Sequence, residues 1–369
     1  MSDAHAARRE RLLEHCSAAG TDAALITGAA NVRYLTGCAP CGASLLATRE
    51  RALLVVPADL PPQDGLGDRP SEPDLPQRSA APDQDTAELA AMAAAAERVA
   101  DLAVEEHDLT VRRYREVADR APGVRLHDLG RAVERLRVVK DEQEIADLRI
   151  AAEIGDQALG ELLESILVGR TERHLAMELE RRMVDHGADA AGFPVSVGTG
   201  SHSGRADHRP TDRRVEEGDF LTVSLGARYR GYAVRSTRTF VIGAAPAGWQ
   251  VELHRLVFEA QRAAREALAP GVPCSLPDRA ARELLGAAGY QEERPRPFGH
   301  GIGLEVREAP QLGPSETGKL DNRVPVTVGP GVHLPGRGGV RIEDTLVVRP
   351  SAEGGPELLT ITTKELLAL

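Results

Sequence analysis

Ile145, Leu148, Ala152, Leu159 and Leu162 stand at steps of three, four and seven residues, the apolar stripe of an amphipathic helix. Upstream, "RRERLLEHCSAAG" reads as a helix ending at Gly20, followed by the strand "DAALIT", a loop "ANVRYLTG" and the strands "ASLLAT" and "ALLVVP". Such alternation predicts an α/β unit. From Pro57 the chain turns proline-rich and acidic with nothing to bury, which predicts a flexible loop over 57–85 before helix resumes in "TAELAAMAAAAERV". Beyond the amphipathic stripe, Thr171 is a suitable N-cap with Glu172 in the first turn, and that helix stops at Gly187. Strands are predicted from Val195 to Ile242, helices over 250–269 and 277–289, and strands again to the end. The change of pattern near Lys140 divides the chain into domains over 1–140 and 141–369.

A net charge of -11 and an aromatic share of 3% argue against a nucleic-acid-binding surface. The N-terminus carries charge where a signal peptide needs an apolar core, and no run approaches the ~18 apolar residues of a membrane helix, so a cytoplasmic protein without a membrane partner is expected. Four cysteines make no disulfide framework, and the Cys38–Cys41 pair lacks a second Cys/His pair at zinc-site spacing, which favours an ordinary loop and leaves its role open. Neither a Rossmann fingerprint nor a P-loop is present, and no cofactor is expected.

Three glycine-rich pieces carry the candidate chemistry: "GTGSHSG" at 198–204, "GHGIGLEVREAP" at 299–310 and "PGRGGVRIEDT" at 335–345. Between the first two lies "GYAVRSTRTF", where strand alternation places Arg235, Thr237 and Thr239 on one face. A permanently charged guanidinium on a strand face needs water or a partner.

The order of these pieces resembles the "pita-bread" superfamily of methionine aminopeptidases, Xaa-Pro aminopeptidases, prolidases and creatinases. That family's "GYxxDxTRTF", "GHGIGLxxHExP" and "GGxRxED" stand here as "GYAVRSTRTF", "GHGIGLEVREAP" and "GGVRIED", and "DAALITGAANVRYLTG" resembles its smaller N-terminal domain. The resemblance implies an α+β fold, with a creatinase-type N-terminal α/β domain before a pita-bread domain, and homodimers are common among such proteins. In its metal-dependent members two Asp, one His and two Glu hold two divalent ions. Those positions fall here on Ser224, Arg235, His300, Gly329 and Glu343, so three of the five lack a ligand. Arg307 replaces the second histidine of the "HExP" piece, and His208 in "DHRP" matches the histidine near the substrate.

At an effective dielectric near 20, unit charges about 4 Å apart interact by roughly 4 kcal/mol, so an arginine at a ligand position opposes a divalent ion strongly. The expectation is therefore no metal pair, although His300 and Glu343 leave one weakly held ion open. The resemblance to creatinases implies His208 and Glu343 as catalytic residues of a metal-independent C–N bond hydrolysis, acting on a small amide, amidino compound or short peptide. Arg235, Arg307 and His300 are the expected substrate-binding residues, and Glu343 is the expected counter-ion of Arg235. The alternatives are a non-catalytic pseudo-peptidase that binds a peptide or metabolite, and a metal-dependent Xaa-Pro peptidase.

Overall fold

The computed structural model describes residues 2–38, 41–58, 75–165, 167–291 and 296–369, which divide into two compact units, Met1–Arg137 and Val138–Leu369. The first unit runs α1 (Ser2–Ala18), β1 (Ala23–Ile26), α2 (Ala29–Thr36), β2 (Ser44–Thr48), β3 (Ala52–Pro57), β4 (Gln77–Ala80), α3 (Thr86–Ala96), β5 (Asp101–Val104), α4 (Val111–Arg120), β6 (Arg125–Asp128) and α5 (Ala132–Arg137). Its six strands pair in the order β4-β3-β2-β1-β5-β6, antiparallel among β1, β2 and β3 and parallel elsewhere. Leu25, Leu46, Val55, Leu102 and Val104 bury one sheet face against Leu89 and Ala90 of α3.

Two expectations are corrected here. "ANVRYLT" is helix rather than loop: Val32, Tyr34 and Leu35 are buried, and Gly37 closes the helix at φ 78, a left-handed conformation that glycine adopts without strain. Within the predicted loop over 57–85, residues 77–80 form the parallel edge strand β4, while 59–74 lie outside the described residues. An edge strand with three exposed side chains out of four carries little apolar signal for a sequence pattern to reveal. In "GCAPCG", Cys38 is buried and Cys41 exposed.

The second unit opens with α6 (Glu142–Leu163) and α7 (Glu172–Asp185), then β7 (Ala190–Ala191), β8 (Ser196–Thr199), β9 (Phe220–Leu225), β10 (Ala227–Tyr229), β11 (Tyr232–Ala233) and β12 (Ser236–Val241). It continues through α8 (Gly248–Glu266), α9 (Leu276–Ala287), β13 (Gly299–Gly301), β14 (Glu308–Leu312), β15 (Pro325–Val328), β16 (Gly331–Leu334), β17 (Gly338–Arg341), β18 (Asp344–Val347) and β19 (Glu357–Leu358). Asp141 and Glu144 form a reciprocal capping box at the start of α6, which satisfies two backbone donors that a helix start otherwise leaves open. One core packs Ile154, Leu159, Leu175 and Leu179 of α6 and α7 against Val197, Val223 and Phe240 of the β12-β9-β8 sheet. A second packs Leu253, Val257 and Leu285 of α8 and α9 against Val326, Val328, Val340 and Leu346. Helix pairs thus back two groups of strands, whose other faces are free to carry polar side chains.

A buried ion pair ties these strand groups together. Arg238 of β12 donates to Asp344 Oδ1 at 2.7 Å with both side chains almost wholly buried, while Gln261 of α8 donates to Oδ2 at 2.7 Å. Removing one member strands a charge in a low-dielectric core. Asp344→Asn is expected to lower the unfolding free energy by roughly 3–5 kcal/mol in chemical denaturation; a loss under ~1 kcal/mol would contradict the role given to the pair.

Candidate functional site

Strand β12 pairs antiparallel with β9, setting Thr237 opposite Ser224 and Thr239 opposite Thr222. Arg235 lies one residue before β12 rather than inside a strand, and the reason is at Gly226, where an added Cβ would fall 1.8 Å from the Val234 carbonyl oxygen. So close a backbone approach breaks the ladder. The freed backbone of Arg235 is held instead by Thr345, whose Oγ1 accepts from Arg235 N at 2.9 Å and donates to Arg235 O at 2.7 Å. Glu343 is bound to Thr237 by two backbone hydrogen bonds of 3.0 Å, one in each direction.

Three side chains converge on Glu343, which has no exposed surface. Arg235 Nε donates to Oε2 at 3.0 Å, Thr237 Oγ1 to Oε2 at 2.8 Å, and Arg341 Nη2 to Oε1 at 3.1 Å. The Thr237 hydroxyl has one proton, and its bond to the carboxylate is the charge-assisted one, so Ser224, 3.0 Å away, donates to Thr237. Burial by itself would raise the pKa of Glu343, but Arg235, Arg341, His300 and the Thr237 bond outweigh it and hold it at about 2. The Arg235 guanidinium also lies over the Phe193 ring, 4.7 Å from its centroid. Gly329 leaves the room that this arrangement needs: a Cβ there would come within 2.6 Å of Glu343 Cγ.

A second carboxylate organises the opposite chemistry. Glu172, in the first turn of α7, is fully buried and accepts five hydrogen bonds. Oε1 takes Thr199 N and His202 Nδ1, both at 2.9 Å. Oε2 takes Thr211 N at 2.9 Å, Thr211 Oγ1 at 2.7 Å and His208 Nε2 at 2.8 Å. Burial raises the pKa of Glu172, yet these donors together bring it below the ordinary value. An ionised carboxylate only accepts, so His202 carries a proton on Nδ1 and His208 on Nε2, leaving His208 Nδ1 to take a proton in the neutral ring. The two rings pack at 4.5 Å between centroids.

Both groups border a cleft of ≈ 270 Å³ within the second unit. Arg205, Arg209, Arg235 and Arg341 line it, with His202, His208 and His333; Asp207 is the only acid in the lining. Glu343 stands behind that surface. His300 is buried, faces the Gly301 carbonyl through Nδ1 at 3.0 Å and is absent from the lining; burial lowers its pKa, more than Glu343 raises it. Arg307 is exposed and likewise not in the lining, and Glu308 is taken by Lys140 in a buried pair at 2.6 Å. The structure therefore brings Arg235 and His208 to the cleft wall, with Glu343 behind it, and leaves Arg307 and His300 outside the lining. Glu172, His202 and Arg341 escaped the sequence reading as a set, although Arg341, two residues before Glu343, stands on the same strand face by simple alternation.

Among the described residues, two groups of His, Cys, Asp and Glu are close enough to share a metal ion: Glu172–His202–His208 and Glu105–His107–Glu134. Neither contains His300 or Glu343. No helix is long and apolar enough to cross a membrane, among the described residues.

Arg235→Gln would leave Glu343 with less compensation. In the wild type its folded pKa of about 2 lies below the ordinary 4.5, so its stabilisation is complete above pH 4.5 and is lost as pH falls toward 2. In the variant the acid limb of the thermal-stability profile is expected to move up toward pH 4.5; an unchanged limb would contradict the pairing.

Comparison with known proteins places this geometry in context. Residues 146–350 match Metallopeptidase family M24, and residues 8–139 match the Creatinase/Prolidase N-terminal domain. The chain is 31% identical over 359 residues to a Xaa-Pro dipeptidase of Pyrococcus horikoshii, covering 97% of this chain and 98% of that one. A solved Xaa-Pro dipeptidase from Bacillus anthracis superposes with a TM-score of 0.89 at 30% identity, over 99% of this chain and 100% of that one. An X-Pro aminopeptidase from Thermotoga maritima gives 0.87 at 30%, over 98% and 100%.

Proposed function

Since the chain belongs to metallopeptidase family M24 and carries that family's creatinase/prolidase N-terminal domain, we propose that its cleft takes a small peptide or amide bearing a carboxylate and works without a metal pair. The fold is the family's: a creatinase-type N-terminal α/β domain followed along the chain by a pita-bread domain. The relatives' names supply the peptide part of the reading, a short peptide ending in proline. Metal independence rests on one observation, the state of Glu343. Both of its oxygens are already engaged, by Arg235 and Thr237 on one side and Arg341 on the other. His300 is the one other family ligand position that still bears an imidazole or carboxylate. Arg341 belongs to the family's own "GGxRxED" piece, so the departure is Arg235, whose guanidinium on Oε2 adds a positive charge within reach of strong repulsion of any divalent ion beside Glu343. These residues do not fit the metal pair that the family name implies.

In this reading Glu343 does not orient water or substrate. It holds Arg235 and Arg341 in place, and their unused donors receive the carboxylate of the ligand. His208, fixed in orientation and tautomer by Glu172, takes a proton from water as it attacks the amide carbon and returns it to the leaving nitrogen. Arg307 and His300 drop from substrate binding to roles in the surrounding electrostatics. A cytoplasmic homodimer remains part of the proposal on family grounds alone.

A second reading, a metal-dependent Xaa-Pro peptidase, is favoured by the full-length similarity to proteins of that name. Hydrolysis of Xaa-Pro dipeptides and small amides, measured with and without chelator beside metal analysis, separates the two. Turnover that survives chelator and falls by ~10²–10⁴ in His208→Ala is the expected result. Activity that requires manganese, cobalt or zinc, with about two ions per chain, would establish the second reading instead. Thermal stabilisation by ligand without turnover would reduce the protein to a binding module.

A further inference from the structure

We propose that the ligand of this cleft carries two negative groups, an inference that rests on the carboxylate-binding reading above. The reason is that two separate sets of guanidinium donors face the cleft unengaged. Arg205, Arg209, Arg235 and Arg341 bring four positive charges to the lining, against Asp207 in the lining and Glu343 behind it. Glu172 behind the histidines is a third acid, so with the histidines left aside the sum is +4 - 3, or +1. Asp207 compensates weakly, because its exposed carboxylate is shared with Arg296 at 2.8 Å.

The donors fall into two sets. Arg235 and Arg341 are partly buried and anchored on Glu343, and among the described residues no hydrogen bond uses Arg235 Nη1 or Nη2, or Arg341 Nη1. Arg205 and Arg209 are exposed at the rim and make no side-chain hydrogen bond or ion pair among the described residues. A guanidinium presents planar paired donors that match a carboxylate edge on, so each set is a seat for one anionic group. One anionic group occupies only one of the two sets, whereas a ligand with two occupies both. The ligand class is therefore an acidic amide or dipeptide, with one carboxylate at the inner pair and one at the rim.

Isothermal titration of the full chain with three probes tests this: N-acetyl-L-aspartate, N-acetyl-L-alanine and N-acetyl-L-alanine amide. The expected order is dianion over monoanion by at least ~tenfold, and monoanion over neutral amide. In the Arg205→Gln/Arg209→Gln double variant the dianion should fall to the affinity that the wild type shows for the monoanion. Both positions are exposed, and an unchanged melting temperature verifies that the variant is folded. Equal affinity for dianion and monoanion, or a preference that persists in the double variant, overturns the two-seat proposal while leaving the carboxylate reading intact. If neither anion binds better than the neutral amide, the carboxylate reading fails as well.

Discussion

A single buried carboxylate, Glu343, sets the terms for the whole site. With no exposed surface, its charge must be met inside the protein, and Arg235, Arg341 and Thr237 meet it. The consequences extend into the fold. The ladder between β9 and β12 breaks at Gly226 so that Arg235 can turn toward Glu343, and position 329 carries no side chain because Glu343 fills that volume. Gly226, Gly329, Arg235 and Glu343 are thus mutually adjusted, and a side chain at 329 would collide with Glu343.

On the other wall of the cleft, Glu172 does for two histidines what Glu343 does for two arginines. Five donors fix its position, and it in turn fixes His202 and His208. Two buried carboxylates, each spent on orienting cleft-lining side chains, leave a surface whose accessible chemistry is cationic and imidazole-based. That surface suits anion capture and proton transfer.

Much of the fold was legible in the sequence because the order of the family's motifs is kept: "GHGIGL" and "GGVRIED" pointed to it by resemblance, and Glu343 was expected on the same resemblance as the counter-ion of Arg235, where the structure has it. Arg341 could have been added from strand alternation. Glu172 could not: its partners lie 27 to 39 residues away and come together through the turn after β8, which no local periodicity encodes. The helical state of 29–36 was hidden for a related reason, since its β-branched and aromatic residues gain helix stability from tertiary burial rather than from propensity. The cationic lining emerged only when Arg205 and Arg209 were brought beside Arg235 and Arg341.

The most direct measurement of the central claim is anomalous diffraction from crystals soaked in millimolar manganese. The account predicts no manganese peak at the Glu343 carboxylate, with the guanidinium of Arg235 still on Oε2. Two peaks about 3.5–4 Å apart beside Glu343 and His300 would contradict it.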